Sequence, residues 1–322
     1  MYELDKKDYK ILFELDRNSR QSINELAKRT ALSRDIISYR IKQLEKQDII
    51  QKYITIIDFT KFGLQAIRLY LKLQNTTPEI EQQMIEFFIE QKDTLTVYKT
   101  DGAYDLAIGF LVKDLHQYKK TEELFFKKYR SHVAEKNISI FLDYIHYPRN
   151  YLVEKKQRDY TSLSTGSFKS FSYDQKDIQL LHLIKENARV TLLELAQKLK
   201  MTATGVKYKL KNLEKNKVIV AYKLLLNAKA IGYDYYKVDI ELEDLSILSS
   251  LNQYVLQHPN ILYRDITIGG SDFEFDMECQ TQEQFYQIIE ELKALFPQKI
   301  RKIHYYKALK IYKYSYFPET IN

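Results

Sequence analysis

Apolar residues follow a helical spacing in three consecutive segments near the start of the chain, and the same three segments recur in its second half. Ser22 and Glu25 have the spacing of a capping box at the start of a short second helix, and Ser33 precedes a longer third helix. A short helix, a tight connection and a longer helix predict a helix-turn-helix. The apolar faces of the first and third helices are formed by Ile11, Leu12, Leu15, Ile37, Ile41 and Leu44.

The recurrence is a tandem duplication at a constant separation of 169 positions. Glu25-Leu26-Ala27 is repeated as Glu194-Leu195-Ala196, and Gly63 still matches Gly232 without a gap. A match of this length indicates that a complete folding unit was duplicated. Further identical pairs are Asp5 and Asp174, Asn18 and Asn187, Arg20 and Arg189, Tyr39 and Tyr208, and Tyr53 and Tyr222.

Runs rich in β-branched residues follow the third helix of each copy, at positions 49–57 and 218–222. Such runs favour strands, and we interpret each as part of a wing hairpin. The sequence therefore predicts winged helix-turn-helix modules at residues 1–60 and 172–229.

Each module is followed by a larger unit in which strand and helix patterns alternate in the order βαββαβ, the order of a ferredoxin-like sandwich. The fold class expected is α+β, with sandwich domains at residues 61–153 and 230–322. In the second copy Phe273, Phe275, Met277 and Cys279 point to one face of a strand and Glu274, Asp276 and Glu278 to the other. The polar, Ser/Thr-rich segment 154–171 lacks apolar periodicity and is interpreted as a linker that lets the halves meet in several arrangements.

Composition is that of a globular protein, with 45% hydrophobic and 29% charged residues in 322. The chain has a single cysteine, so it cannot form an intrachain disulfide. No apolar run reaches the roughly 18 residues of a membrane-spanning helix, and the N-terminus lacks the pattern of a signal peptide. We therefore expect a cytoplasmic protein without a membrane partner.

Positive charge is concentrated in the duplicated modules. The whole chain carries a net charge of +7, whereas residues 1–53 carry +3 and residues 173–222 carry +5. Charge alone does not decide between a bound polyanion and solvated helix faces, but its position on the helix-turn-helix modules favours double-stranded DNA as the partner.

The third helix of each module is the expected recognition helix, because its outward residues can contact base edges and phosphates. Arg34 and Lys207 are the candidates for base contacts, and the remaining basic residues suit phosphates. Tyr39 and Tyr208 are expected to pack beside a neighbouring helix rather than to stack on bases. The predicted outward residues are Arg34, Asp35, Ser38, Arg40 and Lys42 in the first copy, and Thr204, Lys207, Lys209 and Lys211 in the second.

Several motifs give the chain a family resemblance. They are Leu4-Asp5-x-x-Asp8-x-x-Ile11-Leu12, Arg20-x-Ser22-x-x-Glu25-Leu26-Ala27, Leu32-Ser33 and Arg40-Ile41-x-x-Leu44-Glu45-x-x-x-Ile49-Ile50. With these motifs in both halves, the chain resembles the Lrp/AsnC, or feast/famine, transcription regulators. The resemblance implies sequence-specific DNA binding, a ferredoxin-like domain that dimerises through its sheet, and small effectors such as amino acids. The loop residues that correspond to the effector region are Gly102, Asp105, Gly269 and Asp272.

The chain departs from the family pattern in two ways. Typical members carry one copy and form dimers and octamers, whereas here the pairing of sandwich domains is expected within one chain, with a module on each side. Such a pseudo-dimer can still assemble into a further homo-oligomer through other surfaces. The usual glycine before the wing is replaced by Asp48 and Lys217. Because the recognition helices differ, we expect them to bind non-identical half-sites.

Two alternatives stay open beside a non-enzymatic regulator. Some relatives of this architecture are sirohaem decarboxylases, which use His, Arg and Tyr in the sandwich domain. The six histidines show no metal-ligand spacing, and only His146-Tyr-Pro-Arg149 has a catalytic character. We interpret that segment as a strand end and Cys279 as a core thiol, and we expect no cofactor and no metal. The second alternative is an assembly protein that no longer binds DNA.

Overall fold

The fold follows the duplication closely. The computed structural model describes residues 3–315 and 317–318, and no helix within them is long and apolar enough to cross a membrane. The first copy consists of α1 (Lys6–Arg17), α2 (Ile23–Thr30), α3 (Arg34–Lys46), β1 (Ile50–Ile57), β2 (Gln65–Leu73), α4 (Pro78–Glu90), β3 (Thr94–Gly102), β4 (Leu106–Val112), α5 (Leu115–Tyr129) and β5 (Val133–His146). A two-residue strand, β6 (Leu163–Ser164), lies between the copies. The second copy consists of α6 (Gln175–Ile184), α7 (Leu192–Leu199), α8 (Ala203–Lys215), β7 (Ile219–Leu226), β8 (Asp234–Leu242), α9 (Leu248–Gln257), β9 (Ile261–Ile268), β10 (Phe273–Cys279), α10 (Gln282–Leu295) and β11 (Ile300–Tyr314).

The helices begin where the capping signals place them. Ser22 and Glu25 form the predicted capping box at α2, and the Ser33 hydroxyl accepts a hydrogen bond from the Ile36 amide at α3. The first helix of each copy also starts with a box, formed by Asp5 and Asp8 in α1. These side chains satisfy amides that the first helical turn leaves without a partner.

The predicted wing hairpins are wrong, because each copy supplies only one strand. Strand β1 pairs antiparallel with β7 of the other copy, with Thr55 opposite Tyr222. After β1 the chain enters a short 3-10 turn, Phe59–Phe62, and continues into a different sheet, so no second strand is available within the same module. The two modules therefore complete each other's exposed strand edge.

Side chains cross between the modules as a matched pair. The Arg20 guanidinium lies over the ring of Tyr222, and the Arg189 guanidinium lies over the ring of Tyr53. Each arginine also donates to a backbone carbonyl of the other copy, Arg20 to Ala188 and Arg189 to Ser19. Since the contacts are reciprocal at duplicated positions, the modules form an internal pseudo-dimer. The predicted placement of one module on each side of the sandwich pair is therefore wrong.

The remaining large strands form one closed sheet. Its order is β2-β4-β3-β11-β8-β10-β9-β5, and an additional β2–β5 pairing closes the ring, with β6 attached outside β5. The halves join through β3–β11 and β5–β9, so the four potential edges are paired. The expected pair of separate sandwiches, packed sheet to sheet, is thus replaced by a single eight-stranded barrel.

The two faces of the barrel differ in chemistry. The outer face packs against the helices that follow the strands, with Phe88 and Phe125 buried in one half and Phe273 and Phe285 in the other. The inner face carries the acidic side chains of β10, which alternate along the strand with the apolar side chains of the outer face. These acidic side chains are buried as well. The alternation in the sequence was predicted correctly, but only barrel closure decides that its polar side faces an interior.

The segment between the copies is docked along the surface. The Asp159 carboxylate accepts a 2.6 Å hydrogen bond from Arg17, and Ser167 donates to Asp58 at 2.6 Å. Strand β6 adds to the edge of β5. These contacts hold the segment in one arrangement, rather than the several that its composition suggested.

Candidate nucleic-acid interface

The third helix of each module buries its apolar face and exposes the opposite one. In α3 the buried residues are Ile37, Ile41 and Leu44, as predicted. Arg34, Asp35 and Lys42 are exposed and Ser38 is half-buried. In α8 the exposed candidates are Thr204, Lys207 and Lys211. Seven of the nine predicted DNA-contacting residues therefore lie on the outward or lateral face, with the exceptions of Arg40 and Lys209.

Arg40 and Lys209 occupy duplicated positions and turn back toward the first helix of their own module. One Arg40 nitrogen lies 2.8 Å from both Asp5 and Asp8. The predicted outward position is therefore wrong for these two side chains, because the carboxylates of the capping box attract the cation that faces them.

The second copy repeats this ion pair with a lysine. The Lys209 ammonium lies 2.7 Å from Asp174 and 2.9 Å from Asp177. Burial alone would lower the pKa of Lys209, but the hydrogen bonds to Asp174 and Asp177 raise it above its usual value. Arg40 and Lys209 thus tie the recognition helix to the helix that supports it.

Tyr39 and Tyr208 are exposed, so the prediction that they pack against a neighbouring helix is wrong. Their exposed fractions are 64% and 74%, among the highest for large apolar side chains in the described residues. Each immediately precedes the ion-paired cation, and this places the ring on the outward face. A repeated aromatic residue between outward polar positions was the signal that the sequence offered.

The exposed faces of the two helices differ in charge. In α3, Arg34 and Lys42 are accompanied by Asp35, whereas in α8 Lys207 and Lys211 have no acidic neighbour among the exposed candidates. The helix-turn-helix of the second copy therefore presents the stronger positive field to a polyanion.

The two recognition helices are coupled to the strand pair between the modules. The hydroxyl of Tyr53 in β1 donates to Glu45 at the end of α3 at 2.5 Å. The equivalent hydroxyl of Tyr222 in β7 donates to Glu214 at the end of α8 at 2.6 Å. Since β1 and β7 are hydrogen-bonded to each other, the positions of the two helices are fixed relative to one shared element.

The two residues that replace the family's usual glycine before the strand, Asp48 and Lys217, adopt a left-handed backbone conformation. Asp48 has φ of 54° and Lys217 has φ of 57°, immediately before the strands of the modules. This region disfavours residues with a Cβ, which explains why glycine is the ordinary choice there.

The four predicted effector residues have structural contacts. A Cβ on Gly102 would lie 2.5 Å from the Tyr305 carbonyl oxygen, and one on Gly269 would lie 2.8 Å from that of Ile138. Both glycines thus allow a strand of one half to approach a strand of the other. Asp105 accepts from the Leu73 amide and Asp272 from the Leu242 amide, both at 2.7 Å. The effector role of these four residues stays a prediction.

The segment His146–Arg149, whose residue types suggested catalysis, forms a buried joint between the helix-turn-helix modules and the barrel. Arg149 is buried between Asp16 of α1, at 2.6 Å, and Glu278 beside the end of β10, at 3.1 Å. Burial lowers the pKa of His146 to about 3, so its imidazole is neutral near pH 7. Burial raises the pKa of the Cys279 thiol to about 12, in agreement with a core position.

No group of three or more His, Cys, Asp and Glu residues with the arrangement of a metal site occurs in residues 3–315 and 317–318.

Comparison with known proteins adds two kinds of likeness. Residues 4–51 and 173–220 both match the family described as winged helix-turn-helix DNA-binding. Over its whole length the fold is similar to the sirohaem decarboxylase NirDL, with a TM-score of 0.63, 12% identity, and 96% of this chain and 93% of the other covered. At that identity the likeness concerns the fold alone.

Two relatives carry names of transcriptional regulators. An HTH-type transcriptional regulator of Pyrococcus abyssi is 31% identical over 118 residues, which is 36% of this chain and 78% of the relative. The leucine-responsive regulatory protein of Rhizobium meliloti is 28% identical over 125 residues, which is 38% of this chain and 80% of the relative. Together with the two matched modules, these relatives place the chain in the Lrp/AsnC family of transcriptional regulators.

Proposed function

We propose that the protein is a sequence-specific transcription regulator that binds an asymmetric operator on double-stranded DNA. The observation that carries this proposal is the pairing of β1 with β7, which joins two helix-turn-helix modules with different exposed residues into one unit. Operator symmetry follows protein symmetry, so two unlike helices favour two unlike half-sites.

The exposed residues divide into two roles in this proposal. Arg34 and Lys207 project from the recognition helices and suit donor contacts to guanine O6 and N7. Lys42 and Lys211 lie further along the same faces and suit phosphates, which position the protein without specifying sequence. Tyr39 and Tyr208 add an exposed ring with a hydroxyl to each face.

The barrel supports the pseudo-dimer and is the place for regulation by a small molecule. The strand order is β5-β2-β4-β3 in the first half of the barrel and β11-β8-β10-β9 in the second half. We infer two ferredoxin-like units, at residues 61–153 and 230–322, that have merged through their edges. Amino acids are the effector class that the family resemblance implies for the loops at Gly102–Asp105 and Gly269–Asp272.

Selection of bound sequences from a random pool of duplex DNA tests the proposal. The full chain should enrich one sequence with two dissimilar half-sites, and fluorescence anisotropy should show binding that weakens steeply with salt. Enrichment of a palindrome would overturn the asymmetric operator. Absence of any enrichment, together with no change in anisotropy on any duplex at low salt, would overturn DNA binding.

A tetrapyrrole enzyme is the second candidate, because the whole-chain likeness to NirDL is accompanied by a cavity. The cavity has a volume of about 440 Å³ and lies between the modules and the barrel, lined by residues that include Tyr144, His146, Arg149 and Lys223. Absorbance spectroscopy tests this candidate. If the protein is a regulator, the absorbance bands of added sirohaem should not shift when the full chain is present. A stable shifted band, followed by loss of carboxyl groups from the tetrapyrrole, would favour the enzyme.

A further inference from the structure

The inner wall of the barrel is small and apolar on one side and acidic on the other. Arg68 of β2 faces Gly109 of β4, whereas the duplicated residue Lys237 of β8 faces Asp276 of β10. Two positions before Gly109 on β4 lies Ala107. The corresponding position on β10, two before Asp276, is Glu274. The duplication has thus produced a wall of small residues in one half and a wall of carboxylates in the other.

The small residues leave a cavity inside the barrel. Its volume is about 150 Å³, and Ala107, Gly109 and Asp276 all line it. A cavity of roughly this volume accommodates a benzene ring. Aromatic side chains form much of the remaining wall, namely Tyr98, Phe141, Tyr144, Tyr235, Tyr306 and Tyr314.

The cations of the barrel interior are already engaged by carboxylates. Arg68 lies 2.5 Å from Asp265 and 3.3 Å from Glu274. The Lys237 ammonium lies 2.8 Å from Asp265 and 2.9 Å from Glu274, but 3.7 Å from Asp276. With Asp239 at 3.2 Å from the same ammonium, four carboxylates share two cations, and Asp276 is the one furthest from them.

Asp276 has an unfilled acceptor in the cavity wall. The residue is only 2% exposed, and its Oδ1 has no hydrogen-bond partner among the described residues. Burial raises the pKa of this carboxyl to about 7, since Lys237 offsets only part of the cost of burying the charge. Tyr235 hydrogen-bonds to this carboxylate, but its Oδ1 has no hydrogen bond and lies 3.7 Å from the Lys237 ammonium, so a cation in the cavity would stabilise it further.

We propose that this cavity binds a small organic monocation, a primary amine with an aromatic or apolar body of about the size of benzene. The ammonium hydrogen-bonds to Asp276 and the body lies between the tyrosine rings. An anion is disfavoured because the Arg68 guanidinium is engaged by Asp265, Glu274 and the Tyr70 hydroxyl. The site does not depend on the proposed DNA binding.

Three probes of matched shape test the proposal by titration calorimetry on the full chain: 2-phenylethylamine, neutral 2-phenylethanol and anionic phenylacetate. The amine should bind with a dissociation constant of about 1 mM or below, and the other two should bind at least about tenfold more weakly. Equal binding of the alcohol, or no heat with the amine up to about 10 mM, would overturn the proposal.

Two variants locate the binding. Asp276→Asn should weaken amine binding at least about tenfold, while the control Asp101→Asn, which removes an exposed carboxylate of β3, should leave it unchanged. Ala107→Leu should abolish amine binding by filling the cavity without changing the charge. Thermal unfolding establishes that each variant is folded. If Asp276→Asn does not fold, the amine–alcohol contrast and Ala107→Leu decide, and amine binding by folded Ala107→Leu at wild-type strength refutes the site.

Discussion

The two copies are alike at the reciprocal contacts between their helix-turn-helix modules and different where they face solvent or a cavity. Arg20 and Arg189, Tyr53 and Tyr222 form reciprocal contacts at positions that remained identical after duplication. The recognition helices and the inner barrel walls have diverged. A reciprocal interface needs the same residue on both sides, because a change at one position removes the partner of another. Surfaces that meet other molecules do not have that constraint within the chain.

The largest expected effect concerns a joint that only one copy possesses. Arg149 pairs with Asp16 and Glu278, whereas the duplicated position of Asp16 holds Lys185. Arg149→Ala leaves two buried carboxylates short of a cation and should lower the free energy of unfolding by about 3–5 kcal/mol. Urea denaturation measures the change. The exposed control Lys155→Ala should remain within about 0.5 kcal/mol of the wild type, and an equally small change in Arg149→Ala would show that the joint adds little.

A second prediction uses pH to sharpen the contrast between Gly109 and Asp276. Because the folded-state pKa of Asp276 is raised to about 7, the protonated carboxyl stabilises the fold at low pH, and that contribution is lost as the pH rises through about 7. Asp276→Asn removes this loss. Its free energy of unfolding relative to the wild type should therefore increase by on the order of 3 kcal/mol between about pH 4 and about pH 8.

The same pH comparison has a built-in control for the surrounding charges. The groups that face Asp276 or share its cations are Arg68, Tyr235, Lys237, Asp239, Asp265, Glu274 and Tyr306. They are present in both proteins, and Asp101→Asn, which lies outside this cluster, should give a difference that is flat with pH. A flat difference for Asp276→Asn as well would mean that its carboxyl is ionised throughout.

The third prediction separates the two recognition helices. Arg34→Ala should cost about 1–3 kcal/mol on the selected operator and much less on random duplex DNA, because Arg34 is proposed to contact a base. Competition binding by fluorescence anisotropy gives both values. An equal loss on the two DNAs would assign Arg34 to a phosphate instead.

The fourth prediction tests the division of labour among the lysines of α8. Replacing Lys211 by Ala should weaken binding to all DNA and reduce the slope of log K against log salt by about 0.9, the contribution of one phosphate contact. Lys209→Ala should leave that slope unchanged, because its ammonium is paired with Asp174 and Asp177. It should lower the free energy of unfolding by about 1 kcal/mol. A reduced salt slope in Lys209→Ala would restore it to the DNA-contacting set.

The smallest effect concerns the backbone before each strand of the module pair. Asp48 and Lys217 hold left-handed conformations, so replacing either by Gly relieves strain but increases the freedom of the unfolded chain. The balance should raise the free energy of unfolding by about 0.5–1 kcal/mol at Lys217, as thermal denaturation can measure. The gain should be smaller at Asp48, because its carboxylate accepts hydrogen bonds from Gln51 and Asn227 that glycine removes. A loss of stability in Lys217→Gly would contradict this balance.

The local pattern was sufficient to predict the helices of the modules and the order of strands and helices behind them. Ser22, Glu25 and Ser33 mark helix starts, as their spacing indicated. These features depend on neighbours within a few positions, and therefore they are written in the sequence. The duplication itself also follows directly from identical residues at a constant separation.

The candidate interface was predictable only in part. The buried face of α3 fixes which side is outward, so Arg34 and Lys42 could be assigned from periodicity alone. Arg40 could not, because its partners Asp5 and Asp8 lie more than thirty positions away in sequence. Tyr39 was misassigned because an aromatic residue was assumed to require burial, although its neighbours in the sequence were both predicted to face outward.

The sequence by itself determined that two equal units, each a helix-turn-helix followed by a βαββαβ segment, share one chain. Only the tertiary structure decided how they join: β1 pairs with β7, β3 with β11, and β5 with β9. Strand edges carry the same backbone donors and acceptors whatever the side chains, so local patterns do not specify which edges meet. Barrel closure then places the acidic face of β10 inside the molecule, where burial and a shared pair of cations give Asp276 properties that an exposed strand would not have.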